Sequence, residues 1–325
     1  MACFDVFNGD ADGLCALHQL RLVHPREATL ITGVKRDIAL LHRVSAAAND
    51  DVTVLDISLD TNRAGLMRLL ESGAQVLYFD HHFAGDIPNH PQLAAHIDTS
   101  PRVCTSLLVD AYLGGAHSAW AVAAAFGDGL ADAARFAAQP LNLPAARIEQ
   151  LRELGECLNY NAYGETEDDL YFAPAKLFSV MHRYADPFVF IEQEPAFKIL
   201  SGGYTEDLDR AFTVRAEAVD DYSAVYILPD ESWSRRVNGI FGNRLAAGAP
   251  HRAHAVLTPR SGGYVVSVRA PQVTQSGADE FCRRFATGGG RKSAAGINYL
   301  PVDELPRFVE QFNDFFARSA SARQP

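Results

Sequence analysis

The stretch Phe4-Asp5-Val6-Phe7-Asn8-Gly9-Asp10-Ala11-Asp12-Gly13 passes from an apolar run into an acidic turn that carries glycine. The pattern repeats further along: Val52 to Leu55 leads to Asp56, and Val76 to Phe79 leads to Asp80-His81-His82. Short apolar runs alternating with helical stretches predict parallel strands of an open α/β sheet. Such a sheet gathers its ligands at the carboxyl ends of its strands. All three acidic groups fall at that edge, so carboxylates distant in sequence are expected to converge. Converging carboxylates repel unless cations neutralise them. The spacing therefore predicts a metal site holding more than one ion.

Around these strands the reading places a helix over 14–23, a strand at 29–32, a helix over 38–48, a helix over 63–70 and a further strand at 94–97. From about residue 104 to 185 the chain turns helical, with alanine-rich segments leading to Gly127-Asp128-Gly129. A helix over 144–158 follows, with Pro144 suited to its first helical position. Residues 159–171 are polar and read as a loop, 174–184 as one more helix, and Asp186-Pro187 as a break. Beyond residue 200 strand-like runs appear at 224–228, 253–258 and 264–268, with a last helix over 304–317 and a frayed tail from Ser319.

The chain has 325 residues and a formal net charge of −11. That length allows two domains with proper cores. The acidic balance disfavours gripping long nucleic acid through the overall field, and leaves room for a small anionic substrate in a local basic pocket. The N-terminus does not read as a signal peptide, and no apolar run is long enough for a membrane span. The five cysteines (Cys3, Cys15, Cys104, Cys157, Cys282) form no CxxC pair, which fits reduced thiols in a cytoplasmic protein.

Taken singly, the motifs have plain readings as well as chemical ones. Asn8-x-Asp10-x-Asp12-Gly13 resembles the opening of a calcium-binding EF-hand loop, but Gln19 stands where a bidentate Glu is needed and the preceding segment is strand-like. A helix cap beside a turn glycine accounts for it equally well. Asp56 alone also reads as a cap. Asp80-His81-His82 is more specific, since imidazole with several carboxylates suits Mn²⁺, and less surely Zn²⁺ or Mg²⁺. Gly288-Gly289-Gly290-Arg291-Lys292 suits backbone amides wrapped around an anion with two cations at hand, or a solvated loop. Arg269, ending a strand, is a second phosphate clamp or a surface residue. His96 and Asp98 are left out of the site.

Taken in order, Asn8 to Gly13, Asp56, Asp80-His81-His82, Gly127-Asp128 and Gly288 to Gly296 resemble the DHH/DHHA1 phosphoesterase superfamily. That superfamily includes RecJ-like exonucleases and nano-RNases with phosphoadenosine-phosphate phosphatase activity. The resemblance covers nearly the whole chain. It implies an N-terminal doubly wound parallel-sheet DHH domain over 1–185 with a helical connector, a linker over 186–200, and a smaller C-terminal α/β DHHA1 domain over 201–325. It further implies two Mn²⁺ ions, with Mg²⁺ as the alternative. Asn8, Asp10, Asp12, Asp56, His81 and Asp128 would be the metal ligands, with Asp56 bridging. Asp80 would support the histidines and His82 would face the phosphate. Arg269, Gly288, Gly289, Gly290, Arg291 and Lys292 would bind substrate. Two departures stand out: Asn8 where many members carry His or Asp, and Arg291 where the pattern has histidine.

The resemblance makes the chain a metal-dependent hydrolase of short oligonucleotides, dinucleotides or nucleoside bisphosphates. A nucleotide-binding regulator with weak or lost turnover and a single-strand exonuclease are the alternatives, and a homodimer is left open.

Overall fold

The computed structural model describes residues 1–321. They divide into two compact units, Met1–Gly203 and Tyr204 onward.

The first unit is built on five parallel strands: β1 (Cys3–Phe7), β2 (Thr29–Ile31), β3 (Asp51–Leu55), β4 (Gln75–Asp80) and β5 (Leu93–Ile97). Their spatial order is β2-β1-β3-β4-β5, a doubly wound sheet whose connections reverse direction between β1 and β3. The register does the positioning. Phe7 lies opposite Leu55, and Leu55 opposite Phe79. The next row of the sheet is therefore Asn8, Asp56 and Asp80. Two ladder bonds carry the alignment onward: Asn8 N–H donates to Leu55 O, and Asp56 N–H to Phe79 O.

The helices α1 (Ala11–Val23) and α2 (Leu59–Glu71) cover opposite connections of this sheet. Asp10 caps α1, its Oδ1 accepting the N–H groups of Asp12 and Gly13, so the helix starts three residues earlier than the sequence reading. Gly13 allows that tight start, since a Cβ there would lie 2.1 Å from Asn8 O. Ser58 caps α2.

The helix expected over 38–48 does not form; the segment holds one 3₁₀ turn, Leu40–Arg43. Its backbone groups find partners on α2 instead of in their own ladder. Leu41 N–H donates to Asn62 Oδ1, Asn62 Nδ2 donates to Ile38 O, and Arg68 Nη2 donates to the carbonyls of Leu41 and Val44.

A run of helices follows: α3 (Thr105–Tyr112), α4 (Ser118–Gly127), α5 (Ala131–Ala138), α6 (Ala145–Asn161), α7 (Pro174–Met181), α8 (Pro187–Gln193) and α9 (Pro195–Thr213). Pro144 sits at the N-cap of α6, one residue before the first helical position expected for it. The polar segment after α6 is tightened by a 3₁₀ turn, Glu167–Asp169, held by a Thr166/Asp169 capping box. Residues 186–200, read as a linker, are largely helical, with Asp186 capping α8.

The second unit carries a six-stranded mixed sheet: β6 (Ala218–Val219), β7 (Ser223–Ile227), β8 (Ala253–Arg260), β9 (Gly263–Arg269), β10 (Gly288–Gly290) and β11 (Ala294–Pro301). The order is β10-β11-β9-β8-β7-β6, and among the described residues only β7 and β8 run parallel. Helices α10 (Ser232–Gly248), α11 (Ala278–Cys282) and α12 (Leu305–Ser321) complete it. Phe308, Phe312 and Phe316 recur every four residues along α12 and are buried with Phe281 against the sheet. Burying each such ring contributes about 2–3 kcal/mol. Of the expected frayed tail, residues 319–321 are helical and the remainder lies outside the described residues.

Candidate metal centre

The carboxyl edge of the first sheet gathers Asp10 and Asp12 after β1, Asp56 after β3, and Asp80 with His81 and His82 at the end of β4. Asp128 arrives from the end of α4. That helix is stopped by Gly129 at φ +78°, with Gly129 N–H donating to Phe126 O and Leu130 N–H to Ala125 O. The stop leaves Asp128 as the cap residue, facing the sheet edge.

Asp12 is held with unusual completeness. Its Oδ2 accepts Thr105 N–H and its Oδ1 accepts Ser106 N–H, both at 2.7 Å, while Ser106 Oγ donates to its carbonyl. One carboxylate thus caps α3 from a distant part of the chain. Asp56 takes a left-handed backbone, φ +60°, rare for a residue other than glycine and the kind of local strain found at functional sites. Its Oδ1 accepts from Thr105 Oγ1 at 3.1 Å.

His81 Nδ1 lies 2.9 Å from Val103 O. That carbonyl can only accept, so Nδ1 carries a proton, and in the neutral ring it is Nε2 that offers a lone pair to a cation. Nε2 faces Asp56 Oδ1 at 3.5 Å, Asp12 Oδ2 at 3.9 Å and Asp128 Oδ2 at 3.9 Å. A lone pair confronting carboxylate oxygens is repulsive unless a proton or a metal cation lies between them. Two sets fit that description, each with donor atoms within 4.8 Å of one another: Asp12, His81 and Asp128, and Asp56, His81 and His82. Mixed imidazole and carboxylate donors of this kind suit Mn²⁺, Zn²⁺ or Mg²⁺ with donors at ~2.1 Å.

The electrostatics are those of a site short of positive charge. Burial, then the charges of Asp12, Asp10, Asp128 and Asp80, push the Asp56 carboxyl far above its ordinary range. Burial and the charges of Asp12 and Asp10 push Asp128 up to about 6, against the pull of Lys35. Asp80 is fully buried; Oδ1 lies 2.8 Å from His82 Nδ1, and Oδ2 has no hydrogen-bond partner among the described residues. Burial works against a charge on His82, but the hydrogen bond and charge of Asp80, with Asp128 and Asp10 beyond, hold its pKa above the ordinary value.

Asp10 and Asn8 are turned differently. Asp10 Oδ2 lies 2.5 Å from Lys35 Nζ, and Oδ1 caps α1. Asn8 Oδ1 accepts Asp10 N–H at 3.3 Å and Nδ2 donates to Lys35 O at 3.2 Å. Among the described residues, Asp10 is not part of the histidine and carboxylate donor sets around His81. Lys35, Thr105 and Ser106 went unremarked in the sequence reading; the Thr-Ser pair opening a helix was the available signal, and Lys35 stands just after β2 on the same edge. His96 stacks on Phe79 at 4.7 Å, and Asp98 turns back to Ser100 N–H.

In the second unit the glycine run is not a loop. Gly288, Gly289 and Gly290 form the edge strand β10, paired antiparallel with β11. Arg291 and Lys292 lie exposed at the hairpin turn, where Arg291 N–H donates to Ala294 O. Arg269 lines a cavity of about 510 Å³ with Asn243, Gln272, Gln275 and Ser293. Its guanidinium is braced by Asn243 Oδ1, Ser267 Oγ and the carbonyls of Val268 and Gly239.

Several solved structures share this architecture. RecJ from Thermus thermophilus in complex with Mn²⁺ superposes with a TM-score of 0.57 at 18% identity, covering 98% of this chain and 52% of that one. The chain thus spans about half the length of that protein. An exonuclease RecJ bound to manganese gives 0.54 at 19%, covering 100% and 91%. The pGpG-specific phosphodiesterase PggH from Vibrio cholerae gives 0.52 at 14%, covering 97% and 100%. No family profile and no curated protein matches the chain. At these identities the likeness establishes the fold alone, one shared with the RecJ structures and PggH. No helix among the described residues is long and apolar enough to cross a membrane.

Proposed function

We propose that the chain is a Mn²⁺- or Mg²⁺-dependent phosphoric ester hydrolase acting on short nucleotides. The observation that carries this reading is His81 Nε2 set among the oxygens of Asp12, Asp56 and Asp128. Those residues would hold the cation. When bound, it would supply a water acidified toward neutral pH and would offset charge on the phosphoryl oxygens. The remaining residues act around that centre. Val103 O orients His81, Thr105 and Ser106 orient Asp12, and Asp80 orients His82 and favours its protonated form. His82 is 45% exposed in its side chain, so its Nε2 is open to a phosphoryl oxygen and, when protonated, can donate to it.

Substrate size follows from charge. A net −11 favours a small anion over a long strand. Arg269 in its cavity, with Arg291, Lys292 and the edge strand Gly288, Gly289 and Gly290, would hold a terminal phosphate. RecJ and PggH carry this fold with a nuclease or dinucleotide phosphodiesterase name, which supports the nucleotide class. Five free cysteines accord with a reducing, cytoplasmic setting.

A hydrolysis panel with Mn²⁺ and with Mg²⁺ tests the reading. It includes linear and cyclic dinucleotides, a pentaribonucleotide, long single-stranded DNA and phosphoadenosine phosphate. Cleavage of the short substrates is expected, with long DNA inert. Tight binding of one of them without turnover would instead make the chain a nucleotide-binding regulator.

A further inference from the structure

We propose that Lys35 is a built-in replacement for one of the two cations, so that the chain binds a single divalent ion. The inference rests on the metal-site reading above and concerns how many ions that site takes.

Lys35 is fixed along its whole length. Its N–H donates to Ala162 O at 2.9 Å, and its carbonyl accepts from Asn8 Nδ2 at 3.2 Å. Its ammonium reaches Asp10 Oδ2 at 2.5 Å, Asn159 Oδ1 at 2.9 Å and Asp128 Oδ1 at 3.6 Å, with the Tyr163 ring 5.7 Å away. An ammonium is a compact charge with three donors, and three oxygens from three separate segments meet it here. Asn159 and Tyr163 come from the end of α6 and the polar segment beyond it, so that segment has a part in the site.

The would-be ligands of another ion are engaged. Asp10 gives one oxygen to the start of α1 and the other to Lys35. Asn8 gives its oxygen to Asp10 N–H and its amide to Lys35 O. An amide at position 8 suits this arrangement because it can bind two backbone groups without adding charge. The donors left over, Asp12, Asp56, His81 and Asp128, suffice for one ion. A dication placed against Asp10 would have to displace the ammonium or share its carboxylate against like-charge repulsion.

Counting ions tests this without recourse to turnover. The purified chain is saturated with Mn²⁺, desalted and assayed by elemental analysis, with electron paramagnetic resonance to detect spin-coupled pairs. The wild type is expected to hold one uncoupled Mn²⁺ per chain. Lys35→Ala is expected to hold two, with a coupled signal; if that variant does not fold, Lys35→Gln takes its place. Two coupled ions in the wild type would overturn the proposal, as would a single ion in both wild type and variant. No ion in the wild type would instead overturn the metal-site reading itself.

Discussion

Asp80 Oδ1 lies 2.8 Å from His82 Nδ1, the one hydrogen bond that this fully buried carboxylate makes among the described residues. Asp80→Asn removes the charge and keeps the shape. Burial then acts on His82 unopposed by Asp80, so its pKa should drop from above the ordinary ~6.5 to that value or below. Imidazole NMR titration of the metal-free protein reads this directly. A loss of about 10- to 100-fold in kcat is also expected, the usual cost of removing such an orienting partner. An unmoved His82 titration would show that Asp80 does not set its charge.

Asp56→Asn should abolish metal-dependent turnover by at least about 100-fold while leaving the metal-free fold intact or slightly more stable. The second half follows from sign. A carboxyl whose folded pKa is raised above its unfolded value favours the unfolded, ionised chain at neutral pH, and asparagine has no such preference. Thermal midpoints without metal and rates with Mn²⁺ provide the check. Wild-type rates would remove Asp56 from the site.

His18 supplies a pH dependence away from the metal centre. It is fully buried, with Nε2 3.0 Å from Tyr184 O and Nδ1 3.3 Å from His182 Nδ1. Burial, then the neighbouring His182, push its pKa down to about 3. A histidine with a depressed folded pKa stabilises the protein above its unfolded pKa of ~6.5, and that contribution is lost as pH falls toward about 3. The loss is on the order of 4 kcal/mol. His18→Asn should be less stable than wild type at pH 7 and should show a flatter decline from about pH 6.5 down to about pH 4. Parallel wild-type and variant profiles would contradict this.

Gly155→Ala probes how Asp128 is placed. A Cβ at Gly155 would lie 1.9 Å from Ala123 O and 2.8 Å from Gly127 N, so α4 and α6 could no longer cross as they do. A loss of about 3 kcal/mol is expected from overpacking. Because α4 ends at Asp128, Mn²⁺ affinity should fall as well. Calorimetric melting and metal titration give the two readouts; an unchanged affinity would uncouple Asp128 from that crossing.

Arg291→Ala should raise KM for linear substrates with a free terminal phosphate and spare cyclic ones. The side chain is exposed at a hairpin turn, so folding should be unaffected. Equal losses on both substrate types would assign it another role.

The first sheet was legible because parallel buried strands announce themselves as apolar runs and their register needs no side-chain detail to bring the following acids into one row. The segment 38–48 was not, because Asn62 and Arg68 take its backbone hydrogen bonds, a tertiary effect that propensity does not register. The same holds at the site. Asp12 and His81 stood in acidic or histidine-bearing motifs after strands, whereas Asp56 and Asp128 each read singly as a cap or a turn and were proposed as ligands only through the family resemblance. Lys35 could not be picked out, since nothing in Thr32-Gly33-Val34-Lys35 reveals that α6 brings Asn159 beside it. The glycine run misled in another way: three glycines admit a loop or a strand equally, and the pairing of β10 with β11 decided it.

The two N–H groups that clamp Asp12 carry one more implication. The Asp12 carboxylate is aimed by the start of a helix, through backbone groups that are part of the fold itself. Chelation should therefore empty the centre without melting it, and reloading should run at the pace of ligand exchange, with no refolding step between.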